Sequence, residues 1–281
     1  MTSTTEVSIV DLSHDGRGVA RVDGKALFVA GALPGETVRA RIVKRSRHFD
    51  EGKVEEILVR SPDRIEPRCA HFGTCSGCTL QHLPQAAQIA AKQRVLAENF
   101  ERIGKVAPQR WLEPLTADAW GYRRKGRLSV KWVAKKDKAL VGFREDNPRF
   151  VADLSECHTL LPAVGLRLAA LGALVGSLDA KADIAQIEIA AGDDTVALTF
   201  RNLKPLSAAD AEALVAFGCE HGIAILLQPG GPDSVAPLWP GTVPLSFRIP
   251  DFDVELAFRP LDFIQVNGGM NLRMIARTVE L

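Results

Sequence analysis

The sequence predicts a small β barrel of the oligonucleotide-binding type, followed by an α+β domain, with a cysteine-rich loop between them. Three observations carry that prediction. The first 60 or so residues alternate short apolar runs with glycine turns, three of the five cysteines fall between positions 69 and 78, and the stretch from Trp111 to Phe258 mixes strand-like with helix-like patterns.

In the barrel the predicted strands are Val7 to Val10, Gly18 to Val22, Ala26 to Val29, Thr37 to Val43 and Gly52 to Leu58. Asp15-Gly16, Asp23-Gly24 and Pro34-Gly35 lie between them and supply the positive or fixed φ that chain reversals need. Barrels of this size bind single-stranded nucleic acid on one face, although fold alone does not assign that role. A linker, Ser61-Pro62-Asp63-Arg64-Ile65-Glu66-Pro67, leads into the cysteine loop. Residues Pro84 to Gly104 then place Ile89, Val95, Leu96, Phe100 and Ile103 among polar residues, which predicts an amphipathic helix ending at Gly104. Beyond it the strands are Arg127 to Val133, Ala139 to Phe143, Ile184 to Ala190, Val196 to Arg201, Ala224 to Gln228 and Asp253 to Phe258. The helices are Leu160 to Leu178 and Ala208 to His221. The predicted division is 1–60 for the barrel, 61–82 for linker and loop, 83–108 for the helix, 109–260 for the α+β domain and 261–281 for the start of a further one.

With 281 residues and 46% hydrophobic content the chain can build ordinary globular cores without crosslinks. No stretch reaches the roughly 18 apolar residues of a bilayer span; the nearest, Leu160 to Leu178, contains Pro162 and Arg167. Met1 to Glu6 has neither the basic start nor the apolar run of a signal peptide. The expectation is therefore a cytoplasmic, monomeric protein with no membrane partner. In a reducing compartment clustered cysteines point to metal binding or catalysis, not to disulfides.

A formal net charge of +1 conceals an asymmetry. Arg39, Arg41, Lys44, Arg45 and Arg47 fall between Arg39 and His48 with no acid. Eight Lys or Arg, including Arg123, Arg124, Lys125 and Arg127, fall between Trp120 and Lys138 against Asp137 alone. The two windows together carry +12, so the total of +1 leaves about −11 for the rest. Such runs are either solvated faces or the footprint of a polyanion partner.

Cys69-x5-Cys75-x2-Cys78 puts three thiols on one loop, with Gly73 and Gly77 supplying backbone freedom. A cubane cluster needs four thiolates, and such a loop can supply three. Cys157, in the polar turn Asp153 to His158, suits the fourth place better than Cys219, which ends an apolar helix and reads as a core thiol. A zinc site stays open, although its usual pattern has two short cysteine pairs and only one is present.

The motifs Cys69-x5-Cys75-x2-Cys78 with Gln81-His82, Gly121-Tyr122-Arg123-Arg124-Lys125-Gly126-Arg127-Leu128, Val141-Gly142-Phe143-Arg144 leading to Cys157, and Asp262-Phe263-Ile264-Gln265-Val266-Asn267 occur in that order. In this the chain resembles the bacterial 23S rRNA uracil-5-methyltransferases that carry a TRAM domain and a [4Fe–4S] cluster, in the branch acting on the uridine at position 1939. The resemblance implies a cluster on Cys69, Cys75, Cys78 and Cys157. It implies a TRAM domain whose Arg39, Arg41, Lys44, Arg45 and Arg47 hold 23S rRNA, and RNA contacts at Arg123, Arg124, Lys125 and Arg127. Phe263 would stack on an extruded base, and Gln265 would contact S-adenosyl-L-methionine. A stand-alone RNA-binding module with zinc is the alternative. A radical methylthiotransferase fits less well, because its cluster pattern is C-x3-C-x2-C and its TRAM domain comes last.

The chemistry explains these parts. C5 of uracil is too weak a nucleophile to attack a methylsulfonium, so a thiolate adds to C6, methyl transfer at C5 follows, and a base removes the C5 proton to expel the thiolate. The uridine must first be flipped out of its stack, at a cost of about a few kcal/mol. No glycine-rich cofactor turn follows Gln265, and the sequence stops at Leu281 within a helix-like stretch from Met270. The expectation is an N-terminal portion lacking the doubly wound methyltransferase domain, with no catalytic residue in this chain and no activity alone.

Overall fold

A computed structural model describes residues 3–281. Two compact units emerge, residues 1–73 with 77–114, and residues 74–76 with 115–281.

The first unit is built on a six-stranded sheet of β1 (Thr4–Ser8), β2 (Asp11–Leu12), β3 (Gly18–Val22), β4 (Lys25–Ala30), β5 (Thr37–Arg45) and β6 (Phe49–Val59). Their order is β1-β5-β6-β4-β3-β2, with only β4 and β6 parallel. β1 also touches β3, four places away, so the sheet folds back around one core of Val7, Ala20, Leu27, Val29, Val38, Ala40 and Ile42. The β3–β4 reversal is a two-residue loop in which Asp23 (φ 50°) and Gly24 (φ 82°) are both left-handed, the twist that hairpin strands require.

Glu36 closes the barrel. Its carboxylate is buried, accepts from Leu33 N at 2.8 Å, and takes a fork from Arg64 at 2.5 and 2.8 Å. Burial alone would raise its pKa, but the Arg64 and Leu33 hydrogen bonds outweigh that and hold the carboxyl below the usual range. Helix α1 (Gln85–Asn99) continues through one wider turn to Gly104, where Lys105 at φ 52° ends it. The predicted amphipathic helix forms, but no residue of it is fully buried, and Leu96 and Ile103 are exposed. Only Ala87 and Ala91 pack on the small cluster of Leu12, Leu33 and Leu83.

The second unit holds a six-stranded sheet and a hairpin. β7 (Lys125–Val133), β8 (Lys138–Gly142), β9 (Ile184–Ala191), β10 (Val196–Asn202), β11 (Ala224–Leu227) and β12 (Ala236–Trp239) lie in the order β12-β11-β10-β9-β7-β8. All pairs are antiparallel except β10–β11, which α4 (Ala208–His221) connects. α4 starts on Ser207, whose hydroxyl accepts from Asp210 N, and stops at left-handed Gly222. β13 (Ser246–Ile249) pairs with β14 (Val254–Ala257), and α5 (Gly268–Glu280) is capped by Asn267.

The helix predicted over Leu160 to Leu178 is two pieces, α2 (Pro162–Gly165) and α3 (Leu168–Ser177). Gly165 O accepts from Cys157 N at 2.7 Å, and a Cβ at Gly165 would lie 2.2 Å from Cys157 O. Arg167 bends back onto the carbonyls of Pro162 and Ala163, completing the break.

Side-chain alternation gives the sheet two distinct faces. Leu128, Ile187, Ile189, Leu198, Phe200 and Ile225 pack against Leu168, Leu171, Val175 and Leu214 of the helices. The opposite face is apolar at one end, where Ala190, Ala197, Ala224 and Leu226 meet Leu245, and polar at the other.

Replacing Glu36 with Ala leaves Arg64 without its carboxylate and should destabilise the barrel by about 3–5 kcal/mol. Because the folded pKa is depressed, this pair's stabilisation is fully present above the unfolded carboxylate value of about 4.3 and is lost as pH falls through the folded value. Amide exchange in β1 and β5, followed during acid titration of wild type and variant, measures both effects; equal protection in the two proteins would refute them.

Candidate nucleic-acid interface

Strand pairing answers the first basic window. β5 alternates buried Val38, Ala40 and Ile42 with outward Arg39 and Arg41, and β6 opposes it with Asp50, Glu51, Glu55 and Glu56. Arg39 pairs with Glu56, Arg41 with Glu55 at 3.1 Å, Lys44 with Glu51 at 2.8 Å, and Arg45 with Asp50 at 3.7 Å. Arg47 is exposed and has no ion pair among the described residues. The run that looked unopposed along the chain is a cross-strand ladder, each exposed rung contributing about 0.2–1 kcal/mol.

The second window is similarly engaged. Arg123 stacks on Phe143 at 5.3 Å, and its backbone bridges both Leu160 and Asn267. Arg124 N donates to Val266 O at 2.9 Å, while its guanidinium pairs with Asp193 at 3.3 Å and lies 5.9 Å from the Phe247 ring centre. Lys125 donates to Pro260 O, and burial lowers its pKa. Arg127 pairs with Glu188, yet remains 68% exposed. Arg124 and Lys125 thus brace the segment 260–267. Within that segment Ile264 is buried, while Phe263, at 83% exposure, and Gln265 face solvent on either side of it. Asn267 then opens α5 by accepting from Met270 N at 2.9 Å.

The cysteines divide between the units. Cys69 and Cys78 are half-buried in the first, where Cys69 N donates to the Gln81 side chain at 3.1 Å. Cys75 and Cys157 belong to the second: Cys75 packs on the helix-side core, and Cys157 is buried there with Sγ 3.2 Å from Thr159 Oγ1. Four thiols are suitable donor chemistry for an iron–sulfur cluster. Among the described residues, however, no group of three or more His, Cys, Asp or Glu is arranged around a metal position. Cys219, expected in the core, is exposed on the outer side of α4, because the preceding Phe217 and Gly218 take the inward positions. His82 is fully buried against Phe72, and loss of hydration pulls its pKa down to about 4, which keeps the ring neutral.

Sequence reasoning missed a polar groove on the open face of the second sheet, lined by Gln186, Glu188, Arg201 and Gln228. Its signal was the alternation of Gln186 and Glu188 with Ile187 and Ile189 in β9, which marks a strand with one face not given to the core.

Residues 2–60 match the TRAM domain family. Over 279 residues the chain is 62% identical to the 23S rRNA (uracil(1939)-C(5))-methyltransferase RlmD of Xanthomonas euvesicatoria pv. vesicatoria (strain 85-10). It is 60% identical to the protein of that name from Xylella fastidiosa (strain 9a5c). Each alignment takes in 98% of this chain and 63% of the relative's length. The crystal structure of Pyrococcus abyssi tRNA (uracil-54, C5)-methyltransferase with S-adenosyl-L-homocysteine superposes with a TM-score of 0.69 at 18% identity, covering 98% of this chain and 65% of that one.

That coverage corrects the sequence reading. Over 98% of its length the chain follows a methyltransferase structure, of whose own chain it covers 65%, so its two units are part of that fold and do not stand outside it. The expectations that the methyltransferase domain is missing, and that the chain serves only as an RNA-binding and cluster platform, are withdrawn. No helix among the described residues is long and apolar enough to cross a membrane.

The exposures set an order of thiol reactivity. Maleimide labelling of the folded chain, read by peptide mass spectrometry, should modify Cys219 first and Cys157 last; rapid labelling of Cys157 would contradict its placement.

Proposed function

We propose that the protein is an RNA uracil-C5-methyltransferase acting on 23S rRNA, with S-adenosylmethionine as methyl donor. The observation that carries this reading is 62% identity to RlmD sustained over 98% of the chain. The TRAM match and the methyltransferase fold likeness agree with it. The donor supplies an electrophilic methyl group when bound, and Gln265, an exposed amide beside Phe263, is the residue assigned to it. Phe263 offers its ring to the extruded uracil, a stacking contact of about 1–3 kcal/mol that offsets unstacking. Ile264 anchors the segment from below, and the Arg124–Val266 hydrogen bond fixes it from the side.

Arg127 and Arg47, the most freely presented of the basic residues, are assigned to RNA phosphates. Arg39, Arg41, Lys44 and Arg45 contribute by exchanging their β6 carboxylates for phosphate, which makes their share small and strongly salt-dependent. Arg123, Arg124 and Lys125 act mainly by ordering the segment that carries Phe263 and Gln265. The protein works as a cytoplasmic monomer in this reading.

Deleting the gene that encodes this chain should remove one 5-methyluridine from 23S rRNA, at the position corresponding to 1939 in the relatives' names. Mass spectrometry of rRNA digests reads the change, and an unaltered 5-methyluridine content would overturn the assignment.

The finer reading is that Cys69, Cys75, Cys78 and Cys157 hold a [4Fe–4S] cluster with a structural role. Its support is the thiol pattern: three on one glycine-bearing loop, and a fourth on a turn held by the Cys157–Gly165 hydrogen bond. Anaerobically purified protein should contain about four iron and four sulfide per chain, and Cys78→Ser should lose most of both. A single zinc, or iron content untouched by the substitution, would refute the cluster.

A further inference from the structure

The polar half of the second sheet's open face forms a groove of about 700 Å³. Register explains its composition. Arg127 on β7 lies opposite Glu188 on β9, Glu188 opposite Thr199 on β10, and Thr199 opposite Leu226 on β11. Residues two positions along share that face, which adds Gln186, Arg201 and Gln228. Pro237, Val235 and Leu261 supply apolar walls.

Two features of the floor call for a ligand. Gln228 is only 5% exposed, yet its Oε1 accepts no hydrogen bond among the described residues. A buried acceptor without a donor costs about 1–3 kcal/mol. Glu188 is equally buried, and its Oε1 takes Arg127 Nε and, at 3.4 Å, Gln186 Nε2, which leaves Oε2 available. The floor therefore presents acceptors. At the surface, Arg201 is exposed with no ion pair among the described residues, and Arg127 keeps guanidinium donors turned to solvent.

We propose that this groove binds one nucleotide of a single-stranded RNA, its amino-bearing base read by Gln228 and Glu188 and its phosphate held by Arg201 and Arg127. The proposal rests on the RNA-methyltransferase reading and adds a second base-recognition point to it, apart from Phe263 and Gln265. Acceptors on the floor favour the exocyclic amine of adenine or cytosine. Uracil turns two carbonyl oxygens toward such a floor with one N–H between them, so the occupant is a neighbour of the modified uridine and not the uridine itself. The apolar walls accept a base face, and the groove lies within the usual size range of ligand sites.

Fluorescence anisotropy of the full chain with ten-residue oligo(A), oligo(C) and oligo(U) tests this. Wild type should prefer the amino-bearing oligomers by about tenfold. Gln228→Leu should abolish the preference and leave oligo(U) binding unchanged. Arg201→Ala, an exposed substitution that spares the core, should weaken all three and reduce the salt slope by about 0.7. A preference that survives Gln228→Leu, a salt slope unmoved by Arg201→Ala, or AMP competing as well as oligo(A) would overturn the proposal, the last by indicating a free-nucleotide site. Since the 5-methyluridine content of a deletion strain is read independently, loss of this groove and loss of the methyltransferase reading are separate results.

Discussion

The two-residue period of β9 is the constraint on which the second unit depends. Ile187 and Ile189 must turn toward the helices, because there they are fully buried in one core with Leu128 of β7 and Leu198 and Phe200 of β10. Gln186 and Glu188 are thereby forced to the other face, next to Arg127, Arg201 and Gln228. A slip of one residue would put a carboxylate among Leu168 and Leu171 and expose the isoleucines, so register and surface chemistry are fixed together. The polar groove is thus a consequence of the same alternation that makes the core.

Charge follows a comparable rule in the first unit. Along the sequence, Arg39 to Arg47 is a block of one sign, and its acids arrive only after the reversal at residues 46–48. Folding brings Asp50, Glu51, Glu55 and Glu56 alongside, because an antiparallel partner places its residues opposite in reverse order. A window of charge measures what neighbours in sequence carry; a sheet responds to what neighbours across it carry. The same correction applies to Arg124, whose acid partner Asp193 is 69 residues away.

How far the sequence could be read depended on where the determining contacts lay. α4 was legible over its full length because Ser207 and Gly222 mark its ends locally, and β3 likewise because glycine turns bound it. Leu160 to Leu178 misled because its interruption comes from Gly165 packing on Cys157, a contact that leaves no local signature. β12 and β13 were not foreseen; each is four residues long and interrupted or followed by proline. The exposure of Cys219 turned on helical phase: one position further around α4 faces water, while Phe217 and Gly218 face the sheet. The candidate site residues divide in the same way. Phe263 and Gln265 were visible as a motif, whereas Gln186, Glu188, Arg201 and Gln228 come from three elements and became a set only through register.

Phe263 itself shows how the fold holds an aromatic side chain where packing alone would not leave it. A phenylalanine held at 83% exposure forgoes about 1.5–3 kcal/mol of burial. It does not turn inward: Ile264 takes the core side, while Phe263 and Gln265 on either side of it are exposed. Ile264 is in turn held by the backbone bond from Arg124 to Val266 and the Arg123 bridge to Asn267, so the arginine-rich strand fixes which of the two residues faces water. A base stacking on that ring would recover about 1–3 kcal/mol, comparable to what the free protein forgoes. The arginines at 123 and 124 therefore order this segment through their backbone, and their side chains, engaged with Phe143 and Asp193, keep that order.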